Sequence, residues 1–250
     1  MDKKIQSRIQ KLDFLLKKMD KLHLKEAASI LNISEMTIRR DLNTHKGSIV
    51  LLGGYIVRDP HLREKNNYLI FEQETKNIAE KMHIGKIAAS LVEEDDIIFF
   101  DCGSTIPFIA SQIDPTIKFT ALCCSINTFM VLQERSNCEI ILCGGNYSRN
   151  NSFFSPIQNH SIIDSICTTK SFISAAGIDP EKGVTCFDFN EAMIKQKAMK
   201  KSGQNILVFD STKMNTVHKA YVNTLNSFDV IICDKNLPVE FGNEIPNVLN

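Results

Sequence analysis

Residues 23–43 read HLKEAASILNISEMTIRRDLN. Leu24, Ala27, Ala28 and Leu31 recur at the three- and four-residue spacing of one helical face. Asn32-Ile33-Ser34 interrupts that pattern. Asn tolerates the left-handed backbone that ends a helix, and a Ser hydroxyl can cap the helix that follows. In this second helix Met36, Ile38 and Leu42 can turn inward. Ser34, Glu35, Thr37, Arg39, Arg40 and Asn43 are then left toward solvent. Two short helices around a tight turn, the second carrying an Arg-Arg pair, form the arrangement of a helix-turn-helix, whose second helix lies in a major groove. Those six residues are the candidate DNA-contacting set, and double-stranded operator DNA is the expected partner.

Working outward, Ile5, Ile9, Leu12, Leu15, Leu16 and Met19 space an amphipathic helix over residues 3–19 that can cover the pair. On the other side, two apolar runs, 49–52 and 55–57, flank Gly53-Gly54, a two-residue hairpin signal. Three helices and a hairpin predict a winged helix over residues 1–57. The hairpin can touch DNA beside the recognition helix, or it can be a stabilising flap. Residues 58–75 are polar, contain Pro60 and read as a linker, and residues 76–250 form a second domain.

The formal net charge of zero hides an asymmetry. Residues 1–60 carry 12 Lys or Arg against 7 Asp or Glu, a net +5, and the remaining 190 carry 17 against 22, a net −5. The front of the chain can meet phosphates, while the rest is a poor general nucleic-acid surface. A hydrophobic content of 43% argues against disorder. The 8 cysteines include no CxxC pair. Cys102, Cys123, Cys143, Cys167 and Cys233 lie in or beside apolar runs, so reduced core cysteines are expected rather than disulfides, metal ligands or redox centres. Without an 18-residue apolar run or a signal-like N-terminus, a cytoplasmic protein with no membrane partner is expected.

From residue 76 the pattern changes. KNIAEKMHIGKIAASLV predicts a helix with Ile78, Met82, Ile87, Ala88 and Leu91 toward a core. Residues 97–100 form a continuous apolar strand of the kind buried on both faces in a parallel sheet. Further strands are expected at 117–123, 138–143, 171–175, 206–209 and 230–233, with helices between, which predicts an α/β domain. Ligands in such sheets sit beyond the carboxyl ends of the strands. Small and polar residues collect there: Asp101-Cys102-Gly103-Ser104-Thr105, Ser125 and Asn127, Gly144-Gly145, Gly177 and Asp179 with Lys182, and Asp210 to Lys213. Ser104, Thr105 and Lys213 suit an anion, and the amides of a helix start after Gly103 suit a phosphate. Asp101, Asn127 and Asp179 suit hydroxyls, so a small phosphorylated sugar or polyol is the expected ligand. Each residue also has a plainer reading. The Gly-Ser-Thr string can be a helix cap, Asp179 before Pro180 a turn, and Lys213 a solvated side chain. Asp179, Glu191 and Lys195 could in principle do acid-base work, but Glu191 and Lys195 stand four apart, the spacing of a surface helix pair.

LKEAASILNISEMTIRRDLN, together with DCGST, the Ser125-Ile126-Asn127 turn, CGG, AAGID, GVT and DSTK, resembles the DeoR family of bacterial transcription regulators along the whole chain. The resemblance implies a sensor domain sharing its fold with ribose-5-phosphate isomerase. Glu191 and Lys195 look like that enzyme's later Glu and Lys, while Ala176 stands where an acidic residue would be. A site that binds a pentose phosphate without turning it over is implied, with Asp101, Gly103, Ser104, Thr105, Ser125, Asn127, Gly177, Asp179, Lys182, Glu191 and Lys213 as effector-binding residues and no metal or cofactor. Through VLLGGYIV, FFDCGST, SINTF, LCGG and SAAGI the chain also resembles a family member whose implied effector is deoxyribose 5-phosphate and whose genes are those of deoxyribonucleoside or sugar catabolism. A homo-oligomer assembled through the second domain is expected, because one winged helix covers one half-site. Two other classes stay open: an isomerase-like enzyme, and a DNA-binding protein whose second domain only assembles subunits.

Overall fold

The computed structural model describes residues 3–16, 19, 21–44, 49–58, 73, 76–157, 161–241 and 247–250. The chain divides into two compact units, residues 1–67 and 68–250. The linker expected at 58–75 lies almost wholly outside the described residues.

In the first unit, helices α1 (Lys3–Leu15), α2 (Leu24–Leu31) and α3 (Glu35–Thr44) accompany strands β1 (Lys21–His23), β2 (Ile49–Leu52) and β3 (Tyr55–Arg58). Helix α1 stops short of Met19, which is 39% exposed. Gly53 and Gly54 both hold positive φ, 57° and 84°, as the tight turn of a right-twisted hairpin requires. The hairpin is joined by a third strand that the sequence reading missed: β1 pairs antiparallel with β3, Lys21 opposite Val57 and His23 opposite Tyr55. Three residues are too few to show a period, so β1 exists only through this pairing. Ile9, Leu12, Leu22, Leu24, Ala27, Ile38, Leu42, Ile49 and Ile56 close one core. Met36 does not join it and is 74% exposed. Asp41 takes an inward position instead, 2% exposed, where its Oδ2 accepts from Arg8 Nε of α1 at 2.6 Å.

The second unit runs α4 (Ile78–Ala89), β4 (Asp96–Phe100), α5 (Ile106–Gln112), β5 (Phe119–Cys123), α6 (Ile126–Leu132) and β6 (Cys138–Leu142). A hairpin of β7 (Asn146–Ser148) and β8 (Phe153–Ser155) follows, then β9 (Thr168–Ser174), β10 (Gly177–Asp179) and β11 (Gly183–Cys186). The chain continues through α7 (Phe189–Lys201), β12 (Ser202–Phe209), β13 (Ala220–Asn223), β14 (Val230–Cys233) and β15 (Val248–Leu249). Among the described residues seven strands form one sheet in the order β15-β14-β12-β9-β4-β5-β6, every neighbouring pair parallel. Strands β10, β11 and β13 make a small antiparallel sheet.

Both faces of the large sheet are covered. Phe99, Leu122, Ile173, Leu207 and Ile231 face α7 and the small sheet. Their neighbours Ile98, Phe100, Ala121, Phe172, Ile206 and Ile232 face α4 and α5. Double coverage is why the strands read as unbroken apolar runs. Helix α4 and the turn after it bury part of the expected face: Ala88 is buried, and Ile87 and Leu91 are half-buried against the core. Ile78 and Met82 are 51% and 42% exposed, while Lys81, Ile84, Gly85, Ala88 and Ala89 are buried. Gly85 selects that face, since a Cβ there would lie 2.8 Å from the Phe108 carbonyl oxygen of α5. No described helix is long and apolar enough to cross a membrane.

Removing Arg8 would leave the Asp41 carboxylate buried without its cation. Arg8→Ala should lower the unfolding free energy of the first unit by about 3 kcal/mol. Denaturant titration of the full chain reads this directly, and an unchanged midpoint would show the pair to be idle.

Candidate functional site

The first unit presents α3. Asn32 takes φ 52°, ψ 48° at the end of α2, and the Ile33 N–H donates back to the Ala28 carbonyl at 3.1 Å. This left-handed cap turns the chain sharply. Ser34 then caps α3: its Oγ accepts from the Thr37 N–H at 3.2 Å and lies 2.9 Å from the Thr37 hydroxyl. The two hydroxyls thus engage each other and fix the start of the helix. Arg39 and Arg40 are exposed and Glu35 is half-buried; the side chain of Asn43 lies outside those described. The wing carries its own small cluster, with the His23 ring edge-on to Tyr55 at 5.0 Å and Lys21 Nζ 5.1 Å from the same ring.

In the second unit the ends of β4, β9 and β11 and the start of α7 converge. Beneath that point lies a buried charge cluster. Asp101, at the end of β4, and Lys195, in α7, are both fully buried and directly paired. Asp101 Oδ2 also accepts from the Ser174 N–H at 2.9 Å and from the Ser174 hydroxyl. Lys195 Nζ donates to the Ser174 carbonyl at 2.9 Å and reaches Glu191 Oε1 at 3.1 Å. The second Glu191 oxygen accepts from Asn151 Nδ2 at 2.6 Å. Glu191 and Lys195 are therefore not a surface pair. Spacing alone cannot tell an exposed pair from a buried one, and Asp101 supplies the second anion that allows Lys195 to be buried charged.

The cluster sorts its own protonation. Burial pushes Asp101 up, but the Lys195 charge and the hydrogen bonds from Lys195 and Ser174 outweigh it and hold the acid below its ordinary range. Burial raises Glu191, and the Asp101 charge adds to this against the pull of Lys195. Burial would discharge Lys195, yet the two carboxylates keep its pKa well above the usual value. Asp101 and Lys195 stay ionised, and Glu191 is the group that takes a proton most readily. The donor atoms of Asp101, Cys102 and Glu191 lie within 4.8 Å of one another. Lys195 already occupies the place of a cation there.

Above the cluster opens a narrow cleft with a cavity volume of about 20 Å³, lined by Cys102, Gly103, Ser104, Thr105, Asn151, Ser174, Ala175, Ala176, Phe187, Glu191 and Lys213. Hydroxyls, the Asn151 amide, Glu191 and Lys213 give it polar groups, and Ala175, Ala176 and Phe187 give it an apolar wall. The Phe187 ring is backed by His218, with centroids 4.0 Å apart. Gly103 is required by packing, because a Cβ there would collide with the Ser174 hydroxyl.

Of the expected effector residues, Gly103, Ser104, Thr105, Glu191 and Lys213 line this cleft, and Asp101 lies beneath it. Ser125, Asn127, Gly177, Asp179 and Lys182 do not line it. Asp179 Oδ1 accepts from the N–H groups of Glu181 and Lys182 at 2.9 and 2.8 Å, so it builds a turn. Gly177 is held by close approach of the Thr216 carbonyl. Ser125 is 1% exposed, and its hydroxyl has no hydrogen-bond partner among the described residues. Asn151, Ser174 and Phe187 were missed, since each sits in a stretch with no local signal of a site.

All eight cysteines are free, and Cys102, Cys123, Cys124, Cys143, Cys186 and Cys233 are buried. Cys138 is half-buried and Cys167 exposed, against the expectation for both. Burial pushes the thiols of Cys123, Cys186 and Cys233 up to about 12, and a hydrogen bond with Cys124 raises Cys102 further. None of these is a ready thiolate.

Lys195→Met leaves Asp101 buried and unpaired and should destabilise the second unit by about 3–5 kcal/mol. Glu191→Gln should behave differently. Because the folded Glu191 has a raised pKa, its ionisation opposes folding only as the pH rises above the ordinary value of 4.5. The melting temperature of Glu191→Gln relative to wild type should therefore climb between about pH 4 and pH 7. A constant difference across that range would mean that Glu191 ionises as easily folded as unfolded.

Comparison with known proteins follows the two units. Residues 8–60 match the DeoR-like helix-turn-helix domain and residues 76–235 the DeoR C-terminal sensor domain. The Deoxyribose operon repressor of Escherichia coli K12 is 44% identical over 234 residues, 94% of this chain and 92% of that protein. The HTH-type transcriptional regulator IolR of Bacillus subtilis is 29% identical over 90% of this chain and 88% of its own length. Among solved structures, ribose 5-phosphate isomerase A from Methanocaldococcus jannaschii aligns with a TM-score of 0.42 and 12% identity, covering 56% of this chain and 55% of that one. With a reading head in front and a parallel-sheet sensor unit behind, this chain belongs to the DeoR family of transcriptional repressors.

Proposed function

We propose that the chain holds operator DNA through α3 of a domain spanning residues 1–57, and releases it when a phosphorylated sugar enters the cleft of a sensor domain spanning 76–250. The observation that carries this reading is that one cleft is lined by Lys213, Ser104 and Thr105 as well as by Glu191, whose Oε2 accepts from Asn151 Nδ2. The first set suits a phosphate, and the second suits sugar hydroxyls. Deoxyribose 5-phosphate is the effector of choice, supported by the 44% identity to a protein named for the deoxyribose operon. The ligand is bound and not turned over: Ala176 borders the cleft where the resemblance implies an acid in the enzyme. Ser34, Glu35, Thr37, Arg39, Arg40 and Asn43 form the DNA-facing set.

One helix-turn-helix reads one half-site, so the working repressor is a homo-oligomer. Effector binding shifts the balance between gripping and released states only by its differential affinity for the two.

The two functions should separate by mutation. Arg40→Ala should weaken binding to a duplex selected by the full-length chain from a random library, while leaving the thermal shift by deoxyribose 5-phosphate unchanged. Lys213→Ala and Thr105→Ala should bind that duplex normally and need about 10- to 100-fold more effector to let go. If both release DNA at the wild-type concentration, the cleft is not the sensor. A panel of pentose, hexose and deoxypentose phosphates identifies the sugar, and ketose appearing from ribose 5-phosphate would contradict binding without turnover.

A further inference from the structure

The exposed Met36 has no part in the fold. Helix α3 buries Ile38, Asp41 and Leu42. At about 100° per residue, Met36 stands on the opposite side of the helix from that buried stripe. Arg39 and Arg40, three and four residues on, share its side and are exposed. Thr37 is turned aside by its hydroxyl bond to Ser34, 2.9 Å away. The middle of the outward face is thus an apolar side chain, 74% exposed, flanked by two guanidinium groups.

A single exposed methionine is ordinary on a protein surface. This one sits in the first turn of a helix whose N-terminal residues meet base edges. The flanking arginines match the charge of a phosphate-lined groove and bring Met36 to its floor. There the bases present donors, acceptors and one apolar group, the C5-methyl of thymine. A thioether chain with three rotatable bonds can follow a methyl whose position varies slightly between sites. Of the two acids in the helix, Asp41 is turned inward and paired with Arg8, and Glu35 is half-buried at the helix start.

We infer that Met36 is a specificity-determining residue that contacts a thymine methyl in each operator half-site, an inference resting on the reading of α3 as the DNA-facing helix. The contact is apolar. It therefore adds sequence preference without adding to the salt dependence of binding.

The test uses the full-length chain and the duplex it selects from a random-sequence library. Thymines are replaced one at a time by deoxyuridine, which pairs identically and lacks only the methyl. Wild type should lose about fourfold affinity at one position in each half-site. Met36→Ala should lose a similar amount on the unmodified duplex and nothing further at that position, and Met36→Leu should restore the uracil penalty. An equal uracil penalty in wild type and Met36→Ala, full affinity of Met36→Ala, or a selected half-site without thymine would each overturn the methyl contact. Arg40→Ala distinguishes the two levels. Wild-type affinity in that variant would sink the DNA-facing assignment of α3 itself, whereas its loss alongside an unchanged uracil penalty in Met36→Ala would sink only the methyl contact.

Discussion

A lysine ammonium fully buried between two carboxylates sets the geometry of the sensor unit. Lys195 reaches from the middle of α7 to Asp101 at the end of β4, to the Ser174 carbonyl at the end of β9, and to Glu191 one turn earlier in its own helix. These contacts come from segments far apart in the chain, and a charged group out of water is tolerated only while they all hold. Gly103 belongs to the same constraint, since its lack of a side chain lets the loop after β4 lie on Ser174. The loop bearing Ser104 and Thr105, the Ser174 to Ala176 wall and the Glu191 carboxylate are thereby held in one arrangement.

The reading head uses a smaller version of the same device. Arg8 of α1 holds Asp41 of α3 on the inward side of the helix. Where apolar packing alone would allow α3 to rotate, a buried ion pair favours one orientation, because any other leaves a charge unpaired. The side opposite Asp41 is then fixed toward solvent, and Arg39 and Arg40 with it. The Asn32 turn and the Ser34 cap set where the helix begins, and the ion pair sets which way it faces.

How much of this was legible in the sequence follows the range of the interactions. The Asn32 turn, the Ser34 cap and the Gly53-Gly54 hairpin depend on residues within a few positions of one another, and the sequence shows them. The strands are visible because both faces of the sheet are buried, so apolar runs have no gaps. What failed to show depends on distant partners. Glu191 and Lys195 have the spacing of an exposed pair, and only Asp101, 94 residues from Lys195, makes them a buried one. Met36 was placed inward for its hydrophobicity, but Arg8 reserves the inward position for Asp41. On α4, Ile78 and Met82 were misplaced, while Ala88 and Ile87 were not, because the approach of α5 at Gly85 turns the first half of the helix toward Lys81 and Ile84. Among the expected site residues that do not line the cleft, Asp179 has a sufficient local use in a turn.

The protonation order of the cluster carries the argument to function. Two acids surround one base, and the acid with the raised pKa, Glu191, is the one that lines the cleft. Its charge is opposed by burial, by Asp101 and by Asp188, and is supported by Lys195, while Asn151 Nδ2 donates to its second oxygen. A ligand that offers hydroxyl donors to this carboxylate relieves a penalty already present in the fold. A ligand that offers only a phosphate meets Lys213 and the two hydroxyls and leaves that penalty in place. Under the proposed function, the cleft then favours a molecule with both ends, an anion and neighbouring hydroxyls, over inorganic phosphate or an uncharged sugar. That preference is what a metabolite sensor requires, because phosphate is present whether or not the sugar is. Asp101 never faces the ligand, yet it sets this preference by holding Lys195 charged and adding to the field that keeps Glu191 ready to accept.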